Sequence, residues 1–161
     1  MNGQGLVGRH RLPTVEDTWA FGKALAALLR PGDLVVLAGP LGAGKTALAQ
    51  GIGAGLGVAG PVTSPTFVLA RLHAGPVPMV HADAYRLGDV VDPLAEVDAL
   101  DLDAELDRSV VVVEWGEGLV ERLAESHLLV RIERREDEVR VVEVHGHGGD
   151  WAERLAAGAA R

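Results

Sequence analysis

The chain has 161 residues, of which 48% are hydrophobic, and a formal net charge of −8 at pH 7. We expect one globular domain over residues 1–161, with 1–10 and 146–161 peripheral or flexible. The sequence has no cysteine, which excludes disulfides and thiolate metal sites. No apolar run is long enough to span a membrane, and an acidic chain is poorly suited to gripping nucleic-acid phosphates. We therefore predict a cytoplasmic protein that contacts neither membranes nor DNA.

The first predicted elements are a helix and a strand. Thr14 is a candidate helix N-cap followed by acidic residues, and Pro31-Gly32 ends the helix. The apolar side of this helix has four members, namely Val15, Trp19, Leu25 and Leu29. The short apolar run Leu34–Ala38 is typical of a buried parallel strand.

A phosphate-binding motif follows this strand. The segment Gly39-Pro40-Leu41-Gly42-Ala43-Gly44-Lys45-Thr46 fits the P-loop pattern G-x-x-x-x-G-K-[ST] at every fixed position. Glycines let successive N–H groups face phosphate oxygens, Lys45 can reach the β- and γ-phosphates, and the Thr46 hydroxyl can hold Mg²⁺. A chance match is disfavoured because Lys45 is one of only two lysines. The predicted nucleotide-binding residues are Gly39, Leu41, Gly42, Ala43, Gly44, Lys45, Thr46 and Ala47.

The helix after the motif points its positive end at the same phosphates. Three glycines, at positions 51, 53 and 55, depart from good helix formers, and we expect them to shorten this helix.

The middle of the chain supplies two further candidates, Thr66 and Asp83. Thr66 lies either in a simple Ser-Pro turn or in a loop that senses the γ-phosphate. Residues 66–72 and 77–80 are predicted strands, the second at a sheet edge because Pro78 interrupts it. Asp83 follows this strand and is either a turn residue or a second acidic group near the phosphates.

A second clear buried strand, residues 110–113, delivers Glu114 at its carboxyl end. Short helices are predicted over 92–100 and 117–123. Hydrolysis or phosphoryl transfer at a P-loop needs a second carboxylate for Mg²⁺. Glu114 is therefore the principal candidate metal ligand, the alternative being an ordinary glutamate at a strand end.

The C-terminal part predicts a hairpin and a last helix. Residues 128–132 and 139–144 form two antiparallel strands joined by a charged turn, and Asp150 begins the helix. His145 and His147 lack a third ligand of clear spacing, which disfavours a metal site. The element order predicts an α/β fold, a single-domain P-loop NTPase with three α/β/α layers and a mixed, partly parallel central sheet.

Four motifs together resemble the TsaE (YjeE) family of bacterial ATPases, which act in making the threonylcarbamoyl modification of tRNA adenosine next to the anticodon. The P-loop is shared by many families, but its combination with the other three motifs is specific. They are the P-loop at 39–46, Ser64-Pro65-Thr66-Phe67, His81-x-Asp83-x-Tyr85-Arg86-Leu87 and Val113-Glu114-Trp115. The resemblance covers nearly the whole chain.

This resemblance implies an ATPase that uses ATP and Mg²⁺ and is weak alone. Thr46 and Glu114 would hold Mg²⁺, Asp83 would stand at the metal or the attacking water, and Thr66 would lie in a switch-like loop. The implied catalytic residues are Lys45, Asp83, Glu114 and Thr66. The adenine pocket would use the first helix near Thr14 and part of the C-terminal hairpin.

The resemblance also implies partners. Such a protein would act on a complex of two related proteins, TsaB-like and TsaD-like, which carries the transferase chemistry and the tRNA. The chain would then meet tRNA only through that complex. This agrees with the negative charge and with the lack of room for a separate recognition domain.

Three other functions are open at this level. A small-molecule kinase needs a mobile lid with arginines over the phosphates, and residues 98–107 contain none. A GTPase is disfavoured because neither lysine has the neighbours of the guanine-reading N-K-x-D motif. A nucleotide sensor without catalysis would bind ATP but show no turnover with its partner.

Overall fold

A mixed sheet of seven strands organises the chain in the computed structural model, which describes residues 8–40, 43–58, 62, 70–83, 107–114, 126–135 and 139–157. The strands are Gly8–Leu12 (β1), Leu34–Ala38 (β2), Ala70–His73 (β3), Met79–Asp83 (β4), Val110–Glu114 (β5), His127–Arg134 (β6) and Arg140–His147 (β7). The helices in these ranges are Val15–Ala26 (α1), Lys45–Leu56 (α2) and Trp151–Ala157 (α3).

The strand that precedes the P-loop lies in the interior of the sheet. The strand order is β1-β7-β6-β2-β5-β4-β3. Strand β2 pairs in parallel with both β5 and β6, and β4 pairs in parallel with β5. Strands β3, β7 and β1 pair antiparallel with their neighbours. The predicted mixed, partly parallel α/β sheet is therefore confirmed.

The core lies between this sheet and the described helices. Alternate residues of the inner strands, such as Val35 and Leu37 on β2, pack in one cluster with Phe21, Leu25 and Leu48 from α1 and α2. Helix α3 adds Trp151 and Leu155 to the same cluster. None of the helices within the described ranges has the length and apolar character that a membrane crossing requires.

Three local predictions, which concern β4, α1 and α2, are corrected by the structure. Strand β4 is internal rather than at an edge, because Pro78 precedes its first residue and leaves the ladder intact. The edge next to it is β3. On α1, Val15 and Trp19 are exposed, and the buried side is formed by Thr18, Phe21, Gly22, Leu25 and Ala26.

Helix α2 is a full twelve-residue helix, so its glycines do not shorten it. A Cβ on Gly51 would lie 2.9 Å from the Trp19 carbonyl carbon, and one on Gly22 would lie 2.5 Å from the Leu48 carbonyl oxygen. The two helices therefore approach each other along Gly22, Gly51 and Gly55, and this tertiary contact outweighs the low helix propensity of glycine, whereas Gly53 faces Val62 and Met79.

Several predictions fall outside the described residues. These are the predicted helices at 92–100 and 117–123, and with them the second helical layer.

Strand β1 had not been predicted at all. It includes residues 8–10 of the segment expected to be peripheral, and it forms the edge of the sheet beyond β7.

Candidate nucleotide-binding site

The P-loop turn leaves the sheet at Gly39, directly after the fully buried strand β2. Gly39 has a φ of 149°, and a Cβ at this position would collide with the carbonyl oxygen of Ile132 on β6. Gly44, with a φ of 112°, is the N-cap of α2. Glycine is needed at both positions, because an L side chain rarely adopts these angles.

The N-terminus of α2 is formed by motif residues and carries no capping side chain. Gly44 makes no side-chain cap, Lys45, Thr46 and Ala47 form the first turn, and no acidic residue lies in that turn. Ala43, immediately before, is fully buried. The backbone N–H groups and the helix dipole at such a terminus favour an anion.

Lys45 lies inside this turn, with 4% of its surface exposed. Its Nζ donates hydrogen bonds to the carbonyl oxygens of Gly39 and Pro40 at 2.7 and 2.9 Å. Burial lowers the pKa of Lys45, while the charges of Glu114 and Asp83 act in the opposite direction. Both carboxylates are thus close enough to the ammonium group to affect its charge.

The two predicted carboxylates stand side by side at the carboxyl ends of neighbouring strands. Asp83 of β4 and Glu114 of β5 are partners in the parallel ladder, and Glu114 is also paired with Leu37 of β2. Ladder partners point to the same face, and Leu37 belongs to the core cluster shared with α2. The carboxylates therefore face the side of the sheet that carries the P-loop helix.

Glu114 is held by a residue to which the sequence analysis gave no role. His81 of β4 is fully buried, and its Nε2 lies 2.5 Å from Oε2 of Glu114, which is itself 4% exposed. The sequence contained a signal for the position of His81: it is two residues before Asp83 on one strand, so both side chains lie on the same face.

The start of α1 and the start of β7 flank the P-loop. A Cβ on Gly44 would lie 3.7 Å from Nε of Arg140 and 3.8 Å from Cγ2 of Thr18. Thr14 is the N-cap of α1, as predicted. Its hydroxyl accepts a hydrogen bond from the Asp17 backbone and donates one to the Asp17 carboxylate. Thr18 and Arg140 are neighbours of the motif that the sequence analysis missed.

Leu41, Gly42 and Thr66 lie outside the described residues, so their predicted roles stay predictions. Val62, which is described between α2 and Thr66, is buried, and its carbonyl oxygen accepts a hydrogen bond of 2.9 Å from Gln50 of α2.

The paired histidines of the C-terminal hairpin have other partners. His145 contacts Glu143, and His147 stacks on His127 with ring centroids 4.6 Å apart. Within the described ranges no three histidine or carboxylate side chains are grouped so that they could hold a metal ion.

Comparison with protein families gives one match across most of the chain. The family model described as threonylcarbamoyl adenosine biosynthesis protein TsaE matches residues 12–142. Its range includes the P-loop, Asp83 and Glu114.

Similar proteins carry the same description. The tRNA threonylcarbamoyladenosine biosynthesis protein TsaE of Mycobacterium tuberculosis (strain H37Rv) is 58% identical over 133 residues, which is 79% of each chain. That of Streptomyces coelicolor is 58% identical over 139 residues, or 81% of this chain and 91% of the relative. The Bacillus subtilis protein is 37% identical over 129 residues, or 79% and 78%.

A solved structure has the same fold. The crystal structure of Bacillus subtilis YdiB superposes with a TM-score of 0.74 at 30% identity, covering 95% of this chain and 93% of YdiB. The sheet and the P-loop turn described above therefore occur in a known arrangement.

Proposed function

The chain belongs to the TsaE family of tRNA threonylcarbamoyladenosine biosynthesis proteins, and we propose that it serves this biosynthesis as a Mg²⁺-dependent ATPase. One observation carries the proposal. Asp83 and Glu114 are ladder partners at the ends of β4 and β5, and their negative charges counteract the lowering of the pKa of Lys45, which is buried in the P-loop turn. A lysine alone would bind phosphates. The two carboxylates can in addition bind a cation next to those phosphates.

The donor groups suit the proposed cofactors. Mg²⁺ prefers oxygen ligands and is usually bound by one or two carboxylates together with substrate phosphates. The Thr46 hydroxyl and the carboxylates of Glu114 and Asp83 are such ligands, and the N-terminus of α2 suits the phosphates. When bound, ATP supplies the phosphoryl group and Mg²⁺ neutralises its charge.

The side chains have separate roles in this proposal. The Lys45 ammonium neutralises the β- and γ-phosphates, and Thr46 and Glu114 hold the cation. Asp83, half-buried at the end of β4, stands at the metal or orients the attacking water. Thr66 would belong to a loop that responds to the γ-phosphate, and Thr14 and the hairpin would border the adenine.

We further propose that turnover is slow for the chain alone and rises on a complex of two related proteins that carries the transferase chemistry and the tRNA. The net charge of −8 favours contact with tRNA through that complex rather than directly.

The test measures Mg²⁺-dependent ATP turnover by the purified chain, with and without the TsaB-like and TsaD-like proteins and tRNA. Turnover should increase when the complex is added. Lys45→Ala should abolish nucleotide binding or turnover. The matched control is Lys23→Ala, which removes the other lysine, an exposed residue near Trp19, and should leave turnover unchanged.

Two outcomes contradict the proposal. Turnover that ignores the complex but appears with a small hydroxylated metabolite would indicate a kinase. Binding of ATP without turnover, even on the complex, would indicate a nucleotide sensor.

A further inference from the structure

The contact between His81 and Glu114 lies behind the proposed metal ligand. His81 is paired with Val112 in the ladder, two positions before the pair of Asp83 and Glu114, and both pairs face the core side of the sheet. The imidazole is 0% exposed, so it neither touches solvent nor adds to the surface of the site. Among the described residues, the polar group that it contacts is the carboxylate of Glu114.

The chemistry fixes the direction of this hydrogen bond. As a metal ligand in the proposed site, Glu114 is ionised and only accepts hydrogen bonds, so Nε2–H of His81 is the donor to Oε2 of Glu114. The other ring nitrogen, Nδ1, is buried and has no hydrogen-bond partner among the described residues. An apolar side chain would avoid this unsatisfied atom, so filling the core is a poor explanation for a histidine here.

We propose that His81 is a positioning residue for the metal site: its Nε2–H holds the Glu114 carboxylate in the orientation that binds the divalent cation. Glu114 would otherwise be free to rotate about its side-chain bonds, and one fixed oxygen leaves the second for the cation. Outer partners of metal-binding groups commonly have this effect. The inference rests on the proposed function, because it needs a cation at Glu114.

The chain offers a matched control in a second buried histidine. His73 of β3 is 6% exposed, and its Nε2 is also buried without a hydrogen-bond partner. It does not contact Glu114 in the described structure, so replacing it removes a buried imidazole without changing the proposed ligand.

The experiment uses the full chain loaded with a non-hydrolysable ATP analogue and measures Mn²⁺ binding by electron paramagnetic resonance, with the analogue alone as a blank. His81→Leu should weaken Mn²⁺ binding by ~10–100-fold. Analogue affinity without a divalent cation should change by less than about threefold, because Lys45 and the P-loop are intact. His81→Gln, whose amide can donate from nearly the position of Nε2, should restore most of the loss, and His73→Gln should bind Mn²⁺ like the unchanged chain.

Turnover on the active complex gives a second readout. His81→Leu should raise the Mg²⁺ concentration for half-maximal turnover, with the rate at saturating Mg²⁺ largely recovered. A merely structural residue would lower the rate or the melting temperature without this selective shift. If His81→Leu does not fold, His81→Asn, whose donor is withdrawn from Glu114, takes its place.

Glu114→Gln separates the inference from the function on which it rests. If Glu114→Gln weakens Mn²⁺ binding but His81→Leu does not, or His81→Gln fails to restore it, the positioning role is wrong and the ATPase proposal stands. If Glu114→Gln itself binds Mn²⁺ normally, the proposed metal site is wrong. In the double variant, His81→Leu should add little to the effect of Glu114→Gln, since it acts through that carboxylate.

Discussion

At the scale of single residues, Lys45 is a cation placed where its charge is costly. Burial lowers its pKa below the ordinary lysine value of 10.5, and Glu114 and Asp83 only partly oppose this. A bound phosphate would add a further negative charge and favour the ammonium form. A bound anion should therefore stabilise the charged form of Lys45.

As the pH rises, nucleotide affinity should consequently begin to fall below pH 10.5, the ordinary pKa of lysine. In the free chain the folded state releases the Lys45 proton earlier than the unfolded state, so between the two pKa values the contribution of Lys45 to the free energy of unfolding rises with pH. Binding has the opposite dependence, because the phosphates need the ammonium form. Calorimetric titration with an ATP analogue across this range tests it.

The control for this pH dependence is Lys23→Ala, which leaves the buried lysine in place and should give the same curve. An affinity that stays constant up to the ordinary lysine pKa would contradict the role of Lys45.

Glu114 is the second residue whose role can be isolated. Glu114→Ala should retain much of the nucleotide binding, which depends on the P-loop, but lower Mg²⁺-dependent hydrolysis on the complex by more than ~100-fold, since a ligand should matter more than the outer partners of a metal site. Glu153→Ala, on the exposed side of α3, is the charge-matched control. Normal hydrolysis by Glu114→Ala would mean that the metal assignment is wrong.

At the scale of elements, the P-loop strand, its helix and the Glu114 strand could be predicted from the sequence. Each has a local signal, either an unbroken apolar run or a fixed motif. Gly51 and Gly55 of α2 could not be interpreted correctly, because it is α1, across the helix interface, that leaves no room for a side chain there. The same contact explains the mistaken apolar side of α1: Gly22 faces α2, while Val15 and Trp19 face outward.

Gly51→Ala should therefore destabilise the chain although alanine is the better helix former. The added methyl group would meet the backbone of Trp19, and overpacking of this kind typically costs ~1–3 kcal/mol. Ala54→Gly, at an exposed position of the same helix, should cost only the propensity difference of ~1 kcal/mol. Urea denaturation of both variants measures the free energies of unfolding. A more stable Gly51→Ala chain would contradict the close packing of the helices.

At the scale of the whole molecule, the pairing of strands that are far apart in the chain could not be predicted from the sequence. Strand β1 pairs with β7, more than 120 residues later, and its sequence GRHRL has no apolar alternation to reveal it. The predicted site was incomplete for the same reason. Lys45, Asp83 and Glu114 belong to recognisable motifs, whereas Arg140 reaches Gly44 only because the hairpin returns beside the P-loop.

Arg154 joins the C-terminal helix to the chain segment before β2. Arg154 donates to both carboxylate oxygens of Asp33 and to the carbonyl oxygen of Leu28, and it lies 4.0 Å from the centre of the Trp151 ring. The two side chains of the ion pair are only 12% and 9% exposed. Hydrogen bonding to Asp33 raises the pKa of Arg154, so the guanidinium group stays charged.

Arg154→Ala should lower the free energy of unfolding by about 3 kcal/mol, because it leaves a buried carboxylate without its cation. Arg30→Ala is the control: its pair with Asp150 is 61% and 42% exposed, so its loss should change the free energy of unfolding much less than the loss of the buried pair. Chemical denaturation of the two variants compares them. Equal losses would mean that α3 is held by its apolar side chains alone, with Trp151 and Leu155 sufficient to keep the end of the chain on the sheet.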